Sequence, residues 1–249
     1  MTTRDLTGLL ARNEPDAYAE RSFQDRLYVT LYGAIGWPWL LKSLYGGTKA
    51  EKARLLVRLG LPDDALPHLG SWKADTWLLH QIVDHIATNR PAHIVELGCG
   101  ATSLVIARAL DLHGDGMLHS YDQHRDFVDI TRGWLADYGL HAQMHHAPLV
   151  SAPDGWPACW YDLSKLPASI DMLIIDGPSW SIHPFVRGAA EILFPRLSPG
   201  ALILLDDALR PGERAIARRW KKTWPDIEFR LDKRGTKGTL IGIKSRDRN

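Results

Sequence analysis

Three aspartates that follow apolar segments are the residues in this sequence best suited to carry chemistry. Asp176 comes directly after the segment 170–175, and Asp206 and Asp207 come directly after the segment 201–205. Carboxylates that share one site repel each other unless a cation, a proton or a hydrogen-bond donor compensates their charge. The three predict either a Mg²⁺ site, in which the ion eases deprotonation of a bound hydroxyl, or a general base that works without metal.

A structural interpretation competes with both chemical roles. Asp206 or Asp207 could simply cap the following turn and pair with Arg210. We assign candidate catalytic roles to Asp176 and Asp207, and we name Asp176, Asp206 and Asp207 as candidate Mg²⁺ ligands.

A second candidate site is the glycine turn that follows the apolar residues Ile94 and Val95. Gly98 and Gly100 lack the Cβ atoms that would obstruct a ligand lying against the backbone. In a dinucleotide-binding fingerprint the third glycine would fall at position 103, which is Ser103 here, and the Glu96 carboxylate would lie beside the negatively charged pyrophosphate. Both features count against a dinucleotide. The same carboxylate would attract the sulfonium and ammonium groups of S-adenosylmethionine. The turn therefore favours S-adenosylmethionine over NAD.

Asp122 provides a third candidate contact with a nucleoside. It ends the strand-like segment 117–121, 24 residues after Gly98. A carboxylate at this position can accept hydrogen bonds from both hydroxyls of a ribose, which NAD and S-adenosylmethionine share. The structural alternative is that Asp122 caps the following helix.

These residues can form one site only if the chain places their segments at one edge of a sheet. Strand-like and helix-like segments alternate after residue 70, which predicts an α/β fold with a doubly wound, Rossmann-like, mostly parallel sheet of seven strands. The polar turn 233–237 predicts a closing hairpin, so that the final strand is antiparallel. The predicted strands are 93–97, 116–121, 142–147, 170–176, 200–206, 227–232 and 238–244, and the predicted helices are 49–59, 71–88, 101–110, 124–138, 183–194 and 213–224.

The N-terminal part reads differently from the rest. Residues 1–70 predict a helical cap or extension. Within them, the segment 27–41 has no charged side chain, and Gly33, Gly36 and Pro38 interrupt it. It is shorter than a membrane-spanning helix, so we interpret it as a helical hairpin packed on the domain or at a homodimer contact, in preference to an interfacial membrane contact.

Composition narrows the class of protein. The chain has 249 residues, 45% of them hydrophobic, and a formal charge of +1, so no overall field favours binding to nucleic acid. Cys99 and Cys159 are too few for a disulfide framework, and the N-terminus lacks the pattern of a secretory signal. A cytoplasmic protein is expected.

The motifs in order resemble the class I S-adenosylmethionine-dependent methyltransferases, and among them the methyltransferase domain 24 family, which is similar to small-molecule O-methyltransferases. The resemblance covers roughly residues 70–245, so residues 71–249 are expected to form the methyltransferase domain. The motifs that carry it are Glu96-Leu-Gly-Cys-Gly100, Tyr121-Asp122, His146-Ala-Pro-Leu149, Trp160-Tyr-Asp162, Ile175-Asp-Gly-Pro178 and Leu205-Asp-Asp-Ala-Leu-Arg210.

The resemblance implies where the donor binds. Its methionine end is expected near Glu96, Gly98, Gly100 and Ser103, and its ribose on Asp122. Its adenine is expected at the end of the third strand, near Pro148 and Leu149, and its reacting end approaches Asp176.

The resemblance also implies the metal ligands. Catechol-type O-methyltransferases hold Mg²⁺ at the ends of the fourth and fifth strands, where Asp176 and Asp207 match two ligands. The third ligand of that family, an asparagine, is replaced here by Ala208, and Asp206 is the candidate substitute.

The predicted function is methyl transfer from S-adenosylmethionine to a small-molecule acceptor at oxygen. Two rival hypotheses remain: an NAD-dependent oxidoreductase, and a catalytically silent S-adenosylmethionine-binding scaffold. A nucleic-acid methyltransferase is disfavoured, because Asp176-Gly-Pro-Ser179 stands where an Asn/Asp-Pro-Pro-Tyr motif would hold a flipped base.

Overall fold

A seven-stranded sheet forms the centre of the computed structural model, which describes residues 23–246. Its strands are β1 (His93–Leu97), β2 (Met117–Asp122), β3 (Gln143–His146), β6 (Ile170–Ile175), β7 (Leu197–Leu205), β8 (Ile227–Asp232) and β9 (Thr239–Lys244). Their spatial order is β3-β2-β1-β6-β7-β9-β8, and β9 runs antiparallel to both of its neighbours while the other pairings are parallel. The predicted fold class is confirmed.

Helices cover both faces of this sheet. Residues 23–246 contain α1 (Phe23–Ser43), α2 (Lys49–Leu59), α3 (Thr76–Asn89), α4 (Ala101–His113), α5 (Arg125–Asp137) and α6 (Pro211–Thr223), together with a 3₁₀ helix (Val186–Arg196). The N-terminal stretch 1–22, part of the predicted cap, lies outside the described residues. None of the helices within 23–246 combines the length and hydropathy that a membrane-spanning segment needs.

Alternation along the strands divides the apolar side chains into two cores. Ile94 and Ile174 face α3, α4 and α5, whereas Val95 and Ile175 face the 3₁₀ helix and α6. Successive side chains of a strand point to opposite faces, so strands buried on both faces read as continuous apolar runs. Leucines of α2 belong to the first core, so this helix packs on the sheet domain.

Two elements differ from the sequence interpretation. The segment 27–41 is not a hairpin but part of one continuous helix, α1, which contains Pro38. This helix packs on the sheet domain: Gly33 lies next to Trp180, where a Cβ would make an ordinary van der Waals contact of 3.5 Å with the ring. A short antiparallel pair, β4 (Leu149–Ser151) and β5 (Cys159–Tyr161), also forms between β3 and β6.

Candidate active site

A cavity of about 470 Å³ opens at the carboxyl ends of β1, β2 and β6. Four of the predicted site residues line it: Gly98, Asp122, Asp176 and Asp207. Open α/β sheets bind ligands at this edge, where the strand order reverses. The structure therefore brings the glycine turn, the candidate ribose ligand and two catalytic candidates to one cavity.

The glycine turn packs against the turn that follows β6. Gly98 has a φ of +93°, and a Cβ there would lie 2.8 Å from the backbone nitrogen of Gly177. Only glycine fits this position without displacing the turn after β6. The backbones that end β1 and β6 thus meet at van der Waals distance, which fixes Asp176 beside the glycine turn.

Glu96 lies beneath the turn and is fully buried. Its Oε2 accepts hydrogen bonds of 2.5 Å from the hydroxyls of both Ser103 and Ser120, and Ser103 Oγ in turn accepts from the Gly100 backbone N–H. Glu96 and Ser103 are not among the cavity-lining residues. In this structure they support the turn from behind, and their direct contact with a donor stays a prediction.

The buried position of Glu96 predicts a pH effect on stability. Burial raises its pKa from 4.5 to about 7, against the hydrogen bonds from Ser103 and Ser120. The folded chain keeps this proton up to neutral pH whereas the unfolded chain releases it near 4.5, so raising the pH across this interval favours unfolding. We expect wild-type stability, relative to Glu96→Gln, to fall by about 3 kcal/mol between about pH 4.5 and 8.

Urea unfolding of the two proteins across this pH range measures the difference. Glutamine can accept both serine hydroxyls but cannot ionise, and other titrating groups, such as Glu213, are present in both proteins. A stability difference that does not change with pH would contradict the assignment of this proton to Glu96.

Asp122 lines the cavity with both carboxylate oxygens engaged by backbone amides. Its Oδ2 accepts from the Cys99 N–H at 3.2 Å and its Oδ1 accepts from the His124 N–H at 2.9 Å. Burial raises its pKa, and these hydrogen bonds oppose the shift. Each carboxylate oxygen has a second lone pair, so Asp122 can still accept two hydroxyls. The bond to the His124 amide precedes α5, which has no side-chain cap, so Asp122 does not cap this helix and its contact with a ribose stays a prediction.

Two of the unsatisfied polar atoms in the cavity wall belong to neutral side chains. Gln123 Oε1 and Tyr161 Oη have no hydrogen-bond partner within the described chain. A buried polar atom without a partner is costly unless a ligand or water completes it. Together with the bare backbone at Gly98, they suit a ligand that carries hydroxyl and amino groups, as S-adenosylmethionine does.

Asp176 is the partly exposed member of the acidic cluster, which we define as Asp176, Asp206 and Asp207. Its side chain is 11% exposed, and its Oδ1 lies 3.3 Å from Nη2 of Arg187. Burial and the neighbouring Asp206 raise its pKa well above the usual value, although Lys237 and Arg187 oppose the shift. Its position on the cavity wall allows it to meet an acceptor.

The acidic cluster is surrounded by three buried cations, Arg187, Arg210 and Lys237, which we call the basic cluster. Ligand atoms of the three aspartates lie within 4.8 Å of one another. Burial alone would raise the pKa of Asp207, but Lys237 and the two arginines lower it to about 2. Their positive charge compensates the repulsion that the sequence alone left unbalanced.

Other predicted residues lie away from the cavity wall. Asp206 sits behind it, and Gly100 lines a small neighbouring cavity with Phe127. Pro148 is exposed and Leu149 is half-buried in β4, and neither lines the cavity. Their proposed contact with an adenine remains a prediction.

The rest of the cavity wall comes from α1 and from aromatic side chains. Leu40, Ser43 and Leu44 line it from the N-terminal side, and Trp72 and Trp180 complete it. Arg187 also lines the cavity, whereas His183 does not. The contribution of α1 could not be predicted, because it depends on how a remote helix packs.

Residues 95–208 match a family model described as a methyltransferase domain. The match begins inside β1 and ends just after Asp207, so it includes the glycine turn, Asp122 and Asp176. The chain contains a methyltransferase domain. The resemblance to a methyltransferase domain that the motifs predicted is therefore confirmed over residues 95–208.

Solved structures share the fold of this methyltransferase domain. An O-methyltransferase from Bacillus cereus in complex with S-adenosylhomocysteine is 12% identical over 87% of this chain and 100% of that chain, with a TM-score of 0.52. A protein from Corynebacterium glutamicum is 14% identical over 81% and 93% of the two chains, with a TM-score of 0.51.

A third solved structure is TomG, an O-methyltransferase of tomaymycin synthesis from Streptomyces achromogenes in complex with S-adenosylmethionine. It is 15% identical over 90% of this chain and 100% of that chain, with a TM-score of 0.48. No curated protein matches the sequence.

Lys237 is the main residue of the candidate site that sequence reasoning missed. We interpreted the segment 233–237 only as a polar turn, yet its lysine ammonium is fully buried against Asp206 and Asp207. The strand topology would have indicated the position of Lys237. Because β9 pairs antiparallel with β7, the residues that enter β9 lie beside those that leave β7.

Proposed function

We propose that this methyltransferase transfers the methyl group of S-adenosylmethionine to an oxygen atom of a small-molecule acceptor. The observation that carries the proposal is a single cavity lined by Gly98 of the glycine turn, by Asp122, by Asp176 and by aromatic side chains. A cavity of about 470 Å³ suits small molecules. Its apolar lining favours a flat, largely apolar acceptor.

S-adenosylmethionine supplies an activated methyl group bound to a positively charged sulfur. Asp122 would accept the ribose hydroxyls, and the backbone at Gly98 would lie against the donor. Glu96, Gly100 and Ser103 would shape that turn. Pro148 and Leu149 remain proposed contacts of the adenine, at the end of β3.

Asp176 would receive the proton that the acceptor hydroxyl loses as its oxygen bonds to the methyl carbon. Arg187 holds this carboxylate in place, because its guanidinium also donates to the Pro178 carbonyl at 3.1 Å and to Asp207 Oδ2 at 3.0 Å. Asp207 would thus act on catalysis through Arg187. Positioning of the two reactants in this cavity would provide most of the acceleration.

Transfer of label from methyl-labelled S-adenosylmethionine to a panel of phenols, catechols and carboxylic acids tests this function. We expect one equivalent of S-adenosylhomocysteine for each O-methyl ether or ester formed. Tight binding of S-adenosylhomocysteine without transfer to any acceptor would support the silent scaffold instead. Transfer to amines alone would show that the assignment of oxygen is wrong.

A cytoplasmic location and a homodimer are also part of the proposal. The surface of α1 carries exposed apolar side chains, among them Leu27, Ile35 and Trp37, each more than half exposed. Such a row of side chains fits a contact with another protein surface. Interfacial contact with a membrane remains the less favoured alternative.

A further inference from the structure

We propose that the basic cluster replaces the divalent cation that catechol-type enzymes use, so that this methyltransferase binds no Mg²⁺ at its acidic cluster. The inference rests on the proposed function in one respect, because the acidic cluster contains Asp176, the residue proposed to meet the acceptor. It depends otherwise only on the contacts of buried side chains. Its test measures ion binding and does not require methyl transfer.

Lys237 occupies the position from which an ion would bridge two of the carboxylates. Its Nζ lies 3.0 Å from Asp206 Oδ2 and 3.4 Å from Asp207 Oδ1. Its side chain is 0% exposed, so the ammonium group has no contact with solvent. A cation that bound both aspartates would have to share this space with a fixed positive charge.

The two arginines engage the remaining faces of the acidic cluster. Arg187 contacts Asp176 and Asp207, as described above, and Arg210 Nη1 lies 2.9 Å from Asp207 Oδ2. Asp207 therefore meets all three cations. The carboxylate that matches a metal ligand in the catechol-type pattern is the one most completely surrounded by positive charge.

The charges of the two clusters balance without an ion. Three carboxylates face three permanent cations, and all of them except Asp176 are less than 9% exposed. Two further buried carboxyl groups lie nearby: Glu213, whose pKa burial raises to about 7 against the influence of Arg210 and Arg187, and Asp75, which adds to the effect of burial in raising the pKa of Asp206. A divalent cation would add two positive charges beside three fixed cations in a buried site, which is unfavourable.

Few carboxylate oxygens of the acidic cluster remain free for a Mg²⁺ ion. Asp206 Oδ1 and Asp207 Oδ1 accept no hydrogen bond within the described chain, but the second of these faces the ammonium of Lys237. Magnesium takes six oxygen ligands in octahedral geometry, several of them usually waters, and binds proteins through one or two carboxylates that are free to approach it. Ala208 occupies the position at which catechol-type enzymes have an asparagine as the third metal ligand.

The chain holds Lys237 in place through a separate carboxylate. Asp75 Oδ2 accepts from the backbone N–H groups of Thr236 and Lys237, at 2.7 and 3.2 Å, and from Thr236 Oγ1 at 3.1 Å. Its Oδ1 accepts from the Leu78 N–H at the start of α3. Asp75 thus fixes the β8–β9 turn so that the lysine points into the acidic cluster.

Gly235 permits the same contact from within the turn. It has a φ of +75°, and a Cβ there would lie 2.5 Å from Asp75 Oδ2. This close approach and the buried hydrogen bonds indicate that the conformation of the turn fixes the Lys237 side chain in the interior.

Binding of Mn²⁺, followed by its electron paramagnetic resonance signal, tests the inference on the full-length protein with S-adenosylhomocysteine present. Mn²⁺ prefers the same oxygen ligands as Mg²⁺ and reports its own binding. We expect the free-ion signal of a wild-type sample to match that of buffer, and we expect neither EDTA nor Mg²⁺ to shift the thermal midpoint. One bound Mn²⁺ per chain that Mg²⁺ displaces and Asp206→Asn abolishes would overturn the inference.

The Lys237→Met variant tests the role of the lysine directly. Methionine has a similar length and no charge, so the variant should gain binding of Mn²⁺ that wild type lacks. Lys244→Met, which removes a lysine that pairs with Asp226 at the surface, is the matched control and should gain none. A folded Lys237→Met protein that binds S-adenosylhomocysteine but no Mn²⁺ would show that the lysine does not exclude the ion.

The wild-type measurement decides the inference even if Lys237→Met does not fold. Failure of the inference is also distinct from failure of the proposed function. Stoichiometric Mn²⁺ binding together with O-methyl transfer would overturn only the inference. Absence of transfer to every acceptor, with no Mn²⁺ bound, would count only against the function.

Discussion

The Asp176→Asn variant is expected to lose roughly 100-fold or more of its turnover, since general-base groups contribute on that scale. Its affinity for S-adenosylhomocysteine should stay close to that of wild type. The reason is that asparagine fills the same volume and still accepts a hydrogen bond from Arg187, but it cannot take the acceptor's proton. Steady-state transfer of labelled methyl groups and calorimetric titration with S-adenosylhomocysteine measure the two quantities separately.

Asp129→Asn is the matched control for this experiment. Asp129 lies on α5 and pairs with Arg132 at the surface, where its side chain is 57% exposed. Its turnover should equal that of wild type. Full turnover in Asp176→Asn would show that another group, or the solvent, removes the proton.

The Asp122→Ala variant is expected to show the second large effect, in donor affinity. It should bind S-adenosylhomocysteine roughly 100-fold more weakly, because hydrogen bonds to a charged group contribute about 1.5–3 kcal/mol each. The loss of the contacts with the Cys99 and His124 amides should add to the effect by loosening the glycine turn. Calorimetry with wild type and variant gives the ratio.

Two further variants separate these contributions. Asp122→Asn keeps one acceptor oxygen and should fall between wild type and alanine, and Asp129→Ala should bind like wild type. Equal loss of donor affinity in Asp122→Ala and Asp176→Asn would mean that the aspartates at the ends of β2 and β6 are wrongly assigned.

The parts of the fold that local patterns determine could be predicted from the sequence. The helix 49–59 has its predicted bounds, because Thr48 caps its start with a hydrogen bond to the Glu51 N–H and Gly60 ends it in the left-handed conformation. The strands at 93–97 and 227–232 also have their predicted bounds. Such elements carry their own start and stop signals.

Residues whose role depends on distant packing could not be placed in this way. Glu96 is next to the glycine turn in sequence, but whether its carboxylate faces a ligand or the interior depends on Ser120, a residue of the neighbouring strand. Lys237 is an ordinary turn residue until the pairing of β9 with β7 sets it beside the acidic cluster. Each case requires the three-dimensional arrangement of two strands.

The helix α1 shows a third limit of local patterns. Pro38 and two glycines predicted an interruption, yet the helix continues through all three. Its contacts with the sheet domain stabilise it: the rings of Tyr32 and Phe185 meet edge to face with their centroids 5.0 Å apart. Tertiary packing of this kind overrides local propensity.

Calorimetric titration of the full-length protein with S-adenosylhomocysteine and, separately, with NAD tests the central claim most directly. The claim is that the glycine turn and Asp122 form a binding site for a methyl donor and not for a dinucleotide. We predict one S-adenosylhomocysteine bound per chain and no heat of binding from NAD. Saturable binding of NAD, with none of S-adenosylhomocysteine, would contradict the account.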